Sequence, residues 1–297
     1  MDESIKEGYL PFGKYRTYYR IVNPEGKKTP LLFLHGGPGS TLNSFEALDP
    51  LAYEDGRPLI MYDQFGCGLS SSDDAHPELY CSKTWVEELK NLRKGLGLKE
   101  VHLLGHSWGG MLAIIYLTSY PHGGVKSVIL SSTLSSASLW DKETHRLIGY
   151  LPKEDRKIIR ECEKSGNYDS EEFRKAVGDY LKLTVYDPSK AYRRGIQPPK
   201  GKSGTVSYVT AWGPSEFRPL GNLKDYEYTS KLKKIDVPVL LLNGGNDEST
   251  PLQNKVMYDH IQSPKKWVIF ANCRHKTYLE APRKYMKTVK EFINHED

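Results

Sequence analysis

The stretch Gly105-His106-Ser107-Trp108-Gly109-Gly110 lies between two apolar segments, residues 101–104 before it and residues 111–117 after it. An apolar strand that leads into a glycine-flanked serine and then into an apolar helix is the context of the G-x-S-x-G nucleophile elbow, in which the serine occupies a strained turn. The glycines remove side chains that would clash there, and the helix N-terminus favours negative charge beside the hydroxyl. The pattern predicts that Ser107 is a catalytic nucleophile. The alternative is a Gly-rich strand–helix turn with an incidental serine.

Short apolar runs recur on both sides of this motif. They occupy residues 31–34, 59–62, 101–104, 128–130, 237–242 and 267–270. Runs that are apolar at nearly every position are typical of strands buried on both faces, as in parallel sheets. Tyrosines among polar residues at 9–22 favour antiparallel strands at the start of the chain.

Helical patterns separate the apolar runs. One helical face carries Trp85, Leu89, Leu92 and Leu96. Thr84 and Glu87 have the spacing of a capping box at the start of that helix. Another apolar face near the C-terminus follows Pro282, and proline is favoured at a helix start. Strands that alternate with helices predict βαβ units, so the fold class is α/β, with a mostly parallel central sheet flanked by helices.

The alternation stops between residues 133 and 230. This segment is rich in Lys, Arg, Glu and Tyr, with helical pieces at 153–163 and 171–183 and a Pro/Gly/Lys stretch at 198–202. About a hundred residues between two strands is far too long for a plain loop. We therefore expect residues 133–230 to form an inserted helical cap between a first core part at 1–132 and a second core part at 231–297. The alternative is a charged, solvent-facing excursion with no role.

A serine hydroxyl needs a base to take its proton, and on this kind of scaffold the order along the chain is nucleophile, acid, histidine. Asp247 directly follows the apolar run at 237–242, and His275 follows the run at 267–270. Active-site groups gather at such strand ends in open α/β sheets. Each residue alone would be unremarkable, as a turn aspartate or a surface histidine. Their order and their positions at successive strand ends predict a Ser–His–Asp triad.

A glycine run, His35-Gly36-Gly37-Pro38-Gly39, follows the first apolar strand of the series. Backbone N–H groups in such a run can point inward as one half of an oxyanion hole, and the N–H of Trp108, immediately after the nucleophile, would be the other half. The alternative for the glycine run is a turn with a purely steric purpose.

The composition of the 297-residue chain excludes several other classes. Its net charge of +5 is small and spread along the chain, which argues against binding to nucleic acid or to an anionic membrane. No run approaches the roughly 18–20 apolar residues that span a bilayer. Residues 1–6 lack the basic start and apolar stretch of a secretory signal. We expect a cytoplasmic protein whose four scattered cysteines are reduced thiols.

Metal and cofactor signals are weak throughout the sequence. His102 and His106 are four residues apart, but this spacing brings two ligands together only on a helix, whereas these residues follow a strand pattern. Cys67 has the features of a structural thiol. The glycine-rich stretches lack a Walker lysine and a dinucleotide fingerprint. We therefore expect neither a metal nor an organic cofactor.

Several motifs together resemble the prolyl iminopeptidases of the α/β-hydrolase superfamily. They are His35-Gly36-Gly37-Pro38-Gly39, Asp63-Gln64-Phe65-Gly66-Cys67-Gly68, the elbow at 105–110, Gly213-Pro214-Ser215-Glu216-Phe217, Gly245-Asn246-Asp247-Glu248 and Cys273-Arg274-His275. They span about residues 30–282 in the family's order. The chain looks most similar to archaeal members that trim peptides downstream of the tricorn protease, so association with a larger peptide-degrading system is a further expectation.

The resemblance implies an α/β-hydrolase fold and a serine aminopeptidase that acts on small peptides with a free N-terminus, preferably proline. It implies that Ser107, Asp247 and His275 are the triad and that Gly37 and Trp108 supply the oxyanion-hole N–H groups. It also implies that Glu216 and Glu248 bind the substrate's α-amine.

Some features leave the resemblance open to rivals. An arginine at position 274 replaces a residue that is often small in the family, and residues 187–205 match no family motif. The triad alone does not separate an aminopeptidase from an esterase, an amino-acid amidase or a lactonase on the same scaffold. A hydrolase-like receptor without catalytic activity is a further alternative, because fold alone does not fix function.

Overall fold

The computed structural model describes residues 4–72, 75–186 and 199–297. Within these ranges the chain forms eight strands: β1 (Ile5–Phe12), β2 (Tyr15–Val22), β3 (Leu31–Leu34), β4 (Leu59–Tyr62), β5 (Val101–His106), β6 (Val125–Ser131), β7 (Val239–Gly244) and β8 (Lys265–Phe270). They belong to one sheet with the order β1-β2-β4-β3-β5-β6-β7-β8. β1 and β2 pair antiparallel, β2 pairs antiparallel with β4, and the other neighbours are parallel. The predicted α/β class with a mostly parallel sheet is confirmed.

The central strands are buried on both faces because neighbouring residues point to opposite sides of the sheet. In β5, Leu103 belongs to the apolar core on one face and Leu104 to the core on the other. In β7, Leu241 and Leu242 divide in the same way. This two-sided burial is the reason that these strands read as continuous apolar runs.

Helices cover both faces of the sheet and also fill the long connection between β6 and β7. The helices are α1 (Pro50–Asp55), α2 (Ser82–Gly95), α3 (Trp108–Ser119), α4 (Ala137–Ile148), α5 (Lys153–Ser165), α6 (Glu171–Thr184), α7 (Thr205–Ala211), α8 (Pro251–His260), α9 (Thr277–Glu280) and α10 (Pro282–His295). α2 and α3 pack on one face, whereas α1 and α10 pack on the other. Because the strands from β3 to β8 run parallel, their carboxyl ends lie at the same edge of the sheet, and the loops that carry the motifs begin there.

The connection between β6 and β7 has an apolar cluster of its own. Ile159 on α5 and Phe173, Ala176 and Tyr180 on α6 pack with Phe217. The helical pieces predicted at 153–163 and 171–183 correspond to α5 and α6. The limits of the predicted cap at 133 and 230 stay a prediction. Residues 187–198, which belong to the stretch that matches no family motif, lie outside the described residues. So do residues 1–3, which belong to the segment predicted to carry no secretory signal.

Two local predictions were wrong. α2 begins at Ser82 with Cys81 as its N-cap, so Thr84 and Glu87 lie inside the helix and form no capping box; Glu87 instead pairs with Lys90. The run at 267–270 predicted a strand buried on both faces, but β8 is the edge strand and Ile269 is exposed. An edge strand has a neighbour on one side only, so part of its apolar surface remains in contact with solvent.

Candidate active site

Ser107 occupies a strained turn between β5 and α3. Its backbone angles are φ 55° and ψ −123°, in a region that residues with a side chain rarely adopt. Hydrogen bonds hold the turn on both sides: the Ser107 N–H donates to the Ser131 carbonyl at 3.0 Å, and Thr133 Oγ1 donates to the Ser107 carbonyl at 2.6 Å. The sequence pattern thus predicted both the position and the strain of this serine.

The glycines of the turn are required by close packing. A Cβ at Gly109 would lie 1.9 Å from the carbonyl oxygen of Leu34 in β3, and a Cβ at Gly105 would lie 2.4 Å from the carbonyl oxygen of Gly109. Because these neighbours are backbone atoms, they cannot give way as a flexible side chain would. The two glycines let α3 pack directly against β3 and β5.

His275 and Asp247 form a buried pair. His275 Nδ1 lies 2.7 Å from Asp247 Oδ1. The carboxylate is itself oriented by two backbone donors, the Ser249 N–H at 2.8 Å and the Gly244 N–H at 3.2 Å. Since an ionised carboxylate can only accept, the proton of a neutral His275 sits on Nδ1, and Nε2 keeps a free lone pair. His275 is therefore arranged to act as a base through Nε2.

The backbone of the His275 loop is attached to the end of α6. Arg274 Nε donates to the Leu183 carbonyl at 3.1 Å, the His275 N–H donates to the Thr184 carbonyl at 3.0 Å, and the Lys276 N–H donates to the Val185 carbonyl at 3.1 Å. Three successive residues thus bond to three successive carbonyl groups. Arg274, the departure noted in the sequence, serves this attachment and does not point into the pair of Asp247 and His275.

His106 packs against the imidazole of His275. The two ring centroids are 4.7 Å apart, and the edge of Tyr278 lies against His106 at 5.0 Å. Complete burial, together with the nearby His275, holds the pKa of His106 well below its usual value. A neutral His106 is a packing surface for His275, and it places no positive charge beside that imidazole.

The glycine-rich loop and the start of α3 approach each other at Ser107. Trp108 is the first residue of α3, so its N–H has no acceptor within the helix. A Cβ at Gly36 would lie 3.2 Å from the Ser107 Cβ, which brings the backbone of residues 36 and 37 next to the nucleophile. Gly37 has φ 120°, a conformation that favours glycine. Gly37 and Ser107 line the same cavity, and Trp108 directly follows Ser107, so both residues predicted to supply N–H donors lie next to the serine.

A cavity of about 340 Å³ lies over this turn. Its lining includes Ser107, His275, Gly37, Glu216 and Glu248. Asp247 and Trp108 are not part of this lining but are next to it. Asp247 is hydrogen-bonded to His275, and Trp108 directly follows Ser107 at the start of α3. The seven residues singled out from the sequence therefore come together at one site, although they span 239 positions from the first to the last in a chain of 297.

Two carboxyl groups line the cavity, the half-buried Glu216 and the buried Glu248. Tyr208 donates its hydroxyl to Glu216 Oε2 at 2.5 Å, and the indole N–H of Trp140 donates to the Glu216 carbonyl at 3.0 Å. Burial raises the pKa of Glu216. Burial, and then the proximity of Glu216, raises the pKa of Glu248 well above its usual value. The two acids favour a bound proton or a cationic ligand.

Glu248 also has an unused hydrogen-bonding atom. Its Oε1 lies 3.8 Å from His275 Nε2, whereas Oε2 has no hydrogen-bond partner among the described residues. An oxygen in this state inside a cavity is suited to accept from a ligand. Several residues of the cavity lining were not predicted from the sequence, among them Tyr208 and Lys276. Lys276 adjoins His275 in the chain, which was a usable signal, and burial lowers its pKa.

The described ranges give two further facts, one about metals and one about membranes. No group of three or more His, Cys, Asp or Glu side chains comes together there as a metal-binding cluster. No helix in that part of the chain has both the length and the apolar character to cross a bilayer.

Known proteins share both the sequence and the fold. Residues 29–282 match the family described as alpha/beta hydrolase fold. Over 293 residues, 99% of each chain, the sequence is 50% identical to the proline iminopeptidase of Lactobacillus helveticus. The crystal structure of the proline iminopeptidase of Mycobacterium smegmatis superposes with a TM-score of 0.85 at 29% identity, over 98% of both chains.

A more distant structure shares the fold alone. Est816, described as an N-acyl homoserine lactone degrading enzyme, has a TM-score of 0.68 at 18% identity, covering 96% of this chain and 100% of its own. The scaffold therefore does not by itself distinguish an aminopeptidase from a lactonase.

Proposed function

The chain belongs to the α/β-hydrolase family and, within it, to the proline iminopeptidases, and on this premise we propose that it is a serine aminopeptidase that releases an N-terminal residue, preferably proline, from peptides. One observation carries the specific proposal: two carboxyl groups, the half-buried Glu216 and the buried Glu248, line the same cavity as Ser107 and His275. An enzyme that removes one residue from an N-terminus must measure a fixed distance from a cationic amine to the scissile carbonyl.

In the proposed reaction Ser107 Oγ attacks the carbonyl carbon of the N-terminal residue while its proton passes to His275 Nε2. Asp247 keeps the other imidazole nitrogen protonated and stabilises the imidazolium that forms. The N–H groups of Gly37 and Trp108 donate to the tetrahedral oxyanion. His275 then gives its proton to the leaving amine, which departs with the rest of the peptide. Water, deprotonated by His275, attacks the acyl-enzyme and releases the free amino acid and Ser107.

Glu216 and Glu248 bind the substrate's free amine in this proposal. Two carboxyl groups with raised pKa values resist carrying two negative charges in an empty, buried site. A secondary ammonium, as in N-terminal proline, has two N–H donors for two acceptors and supplies the charge that offsets their repulsion. The free Oε2 of Glu248 is one such acceptor.

A panel of four substrates tests the proposal: prolyl p-nitroanilide, alanyl p-nitroanilide, N-acetylprolyl p-nitroanilide and a short acyl p-nitrophenyl ester. We expect turnover of the free prolyl substrate, slower turnover of the alanyl substrate, and no turnover once the amine is acetylated. Ser107→Ala is the control and should abolish cleavage of the anilides. Equal rates on free and acetylated prolyl substrates would instead favour the esterase, amidase or lactonase alternatives.

The failure of a serine-reactive fluorophosphonate to label Ser107 would favour the alternative without catalytic activity, a hydrolase-like receptor. Labelling that is lost in Ser107→Ala supports the proposed nucleophile. Labelling of Ser107 without cleavage of any prolyl substrate would retain the hydrolase and reject the aminopeptidase.

We also propose that residues 133–230 form a cap over this site. The attachment of α6 to residues 274–276 and the position of Tyr208 and Glu216 in the cavity wall support that arrangement. The proposed substrates are small peptides with a free N-terminus, which the similarity to proline iminopeptidases supports. A cytoplasmic location and association with a larger peptide-degrading system belong to the proposal as well, and they rest on the sequence alone.

A further inference from the structure

Gln64, in the loop that follows β4, bonds to the backbone of the glycine-rich loop at His35 and to the indole side chain of Trp108, the residue after Ser107. Its side-chain Nε2 donates to the His35 carbonyl at 2.9 Å, and its Oε1 accepts from Trp108 Nε1 at 2.8 Å. Its backbone N–H donates to His35 Nε2 at 3.0 Å. Gln64 is fully buried. These three bonds pair its backbone N–H and both polar atoms of its side chain.

These bonds join the two halves of the proposed oxyanion hole. His35 lies two residues before Gly37 on the glycine-rich loop, and Trp108 itself carries the other N–H. β3 and α3 meet through glycines, so few side chains are available to fix the spacing between them. The Gln64 amide spans this gap from the side of β4.

The loop that carries Gln64 is itself held in place. The Phe65 N–H donates to Glu88 Oε2 at 2.7 Å, and Trp85 Nε1 donates to the Phe65 carbonyl at 3.1 Å. The rings of Trp85 and Trp108 pack edge to face at 4.9 Å. A residue on so restrained a loop can transmit position to its partners.

The other end of the glycine-rich loop is fixed by the residue next to Gln64. Asp63 Oδ1 accepts from the Leu42 N–H at 2.9 Å, and Asp63 Oδ2 accepts from the Leu69 N–H at 2.9 Å. Neighbouring side chains thus hold the loop at residue 35 and again at residue 42. The oxyanion half of the loop lies between these two attachment points.

The chemistry at Gln64 requires an amide. One atom must donate to a carbonyl and another must accept from an indole N–H, which a carboxylate or an alkyl group cannot do together. Burial lowers the pKa of His35 to about 4, so the ring is neutral near pH 7 and its Nε2 can accept from the Gln64 N–H.

We propose that Gln64 is a positioning residue that sets the separation of the Gly37 and Trp108 N–H groups and thereby tunes stabilisation of the oxyanion. This inference rests on the acyl-transfer mechanism proposed above. It assigns a task to the Asp63-Gln64 motif that neither the triad nor the amine site requires.

The test compares Gln64→Leu and Gln64→Glu with the matched control Tyr116→Phe. Tyr116 lies on α3 as well, and its buried hydroxyl accepts from Arg93 at 2.7 Å far from Ser107. Steady-state kinetics on prolyl p-nitroanilide give kcat and KM, and thermal unfolding reports folding. Inhibition by prolinal, whose aldehyde forms a tetrahedral adduct with a serine hydroxyl, is compared with inhibition by prolinol, which cannot form one.

Complete loss of one oxyanion donor typically costs about 10²–10³-fold in kcat, and a displaced donor should cost at least tenfold. We expect Gln64→Leu to lower kcat by roughly 10–100-fold with KM within about threefold. The affinity for prolinal should fall by the same factor, whereas that for prolinol should hold. Gln64→Glu keeps the acceptor for Trp108 but loses the donor to His35, so it should fall between wild type and Gln64→Leu.

A purely structural role predicts something different. If Gln64→Leu matches Tyr116→Phe in kcat and differs only in melting temperature, or if prolinal and prolinol lose affinity equally, the inference is overturned. Should Gln64→Leu fail to fold, Trp108→Phe removes the same bond from the other side and keeps the backbone N–H. If wild type cleaves esters but no prolyl substrate, the aminopeptidase proposal fails, and the kcat comparison on esters still decides the role of Gln64.

Discussion

Replacing Asp247 by asparagine exchanges one carboxylate oxygen for an NH₂ group, with little change in size, beside the proposed base His275. Three N–H groups converge on the carboxylate: those of His275 and Ser249 meet Oδ1 at 2.7 and 2.8 Å, and that of Gly244 meets Oδ2 at 3.2 Å. A carboxylate accepts all three, but an amide has one acceptor oxygen. Either orientation of the asparagine therefore sets an NH₂ group against an N–H donor.

Each orientation has a definite consequence. With the amide nitrogen towards His275, the imidazole must carry its proton on Nε2 and can no longer accept the Ser107 proton. With the nitrogen towards Gly244, a buried N–H loses its acceptor, at a cost of roughly 1–3 kcal/mol in stability, and the imidazolium loses the negative charge that stabilises it. The wrong tautomer in a Ser–His–Asp triad lowers kcat by about 10⁴, which corresponds to about 5 kcal/mol in the activation free energy.

We expect Asp247→Asn to lower kcat on prolyl p-nitroanilide by about 10⁴ with little change in KM. Asp236→Asn is the matched control, since Asp236 pairs with His122 at 2.9 Å on the surface. It should leave kcat within about twofold of wild type. Folding is checked by thermal unfolding. A folded Asp247→Asn enzyme that keeps a tenth or more of the wild-type kcat would refute the role of Asp247 in orienting and stabilising His275.

Three further predictions concern the amine site, the elbow and a buried acid. Glu216→Gln and Glu248→Gln should each raise KM for prolyl p-nitroanilide about 10–100-fold, and a fall in kcat alone would contradict the amine role. Gly109→Ala should destroy the folded state, because its Cβ would meet a β3 carbonyl oxygen at 1.9 Å, whereas Gly178→Ala, in open space, should raise the melting temperature. Burial raises the pKa of Glu88 from 4.5 to about 8, so the folded state keeps a proton that the unfolded state releases. The stability that this proton contributes is fully present below pH 4.5 and is lost as the pH rises through 8. Urea unfolding of Glu88→Gln should show a smaller loss of stability between pH 5 and 8 than wild type, and equal losses would refute this.

The sequence predicted those features that leave a local pattern. The strands β3 to β7 are apolar at almost every position because both of their faces are covered, and Ser107 is surrounded by glycines because backbone atoms crowd its turn. Asp247 and His275 were located from their order along the chain, since consecutive strand ends meet at one edge of a parallel sheet.

Features that depend on distant contacts were not predictable from such patterns. Nothing near Tyr208 indicates that its hydroxyl meets Glu216, because the approach is made by the packing of α7. The task of Gln64 depends on residues 29 and 44 positions away in the sequence. The sequence did not predict the exposed side of β8, because the position of a strand at the edge of a sheet is decided by the fold. It also did not predict the start of α2 at Ser82, because the backbone geometry at the N-cap is decided by the folded chain.

The bonds from residues 274–276 to the carbonyl groups at the end of α6 limit how this enzyme can open. If α6 moved outward to admit a peptide, these hydrogen bonds would either break or displace His275 from its position beside Ser107. A conformation that is open at this helix would be inert, and closure would assemble the base and shield the acyl-enzyme in one motion. Peptide binding and catalytic competence would then be coupled through these hydrogen bonds.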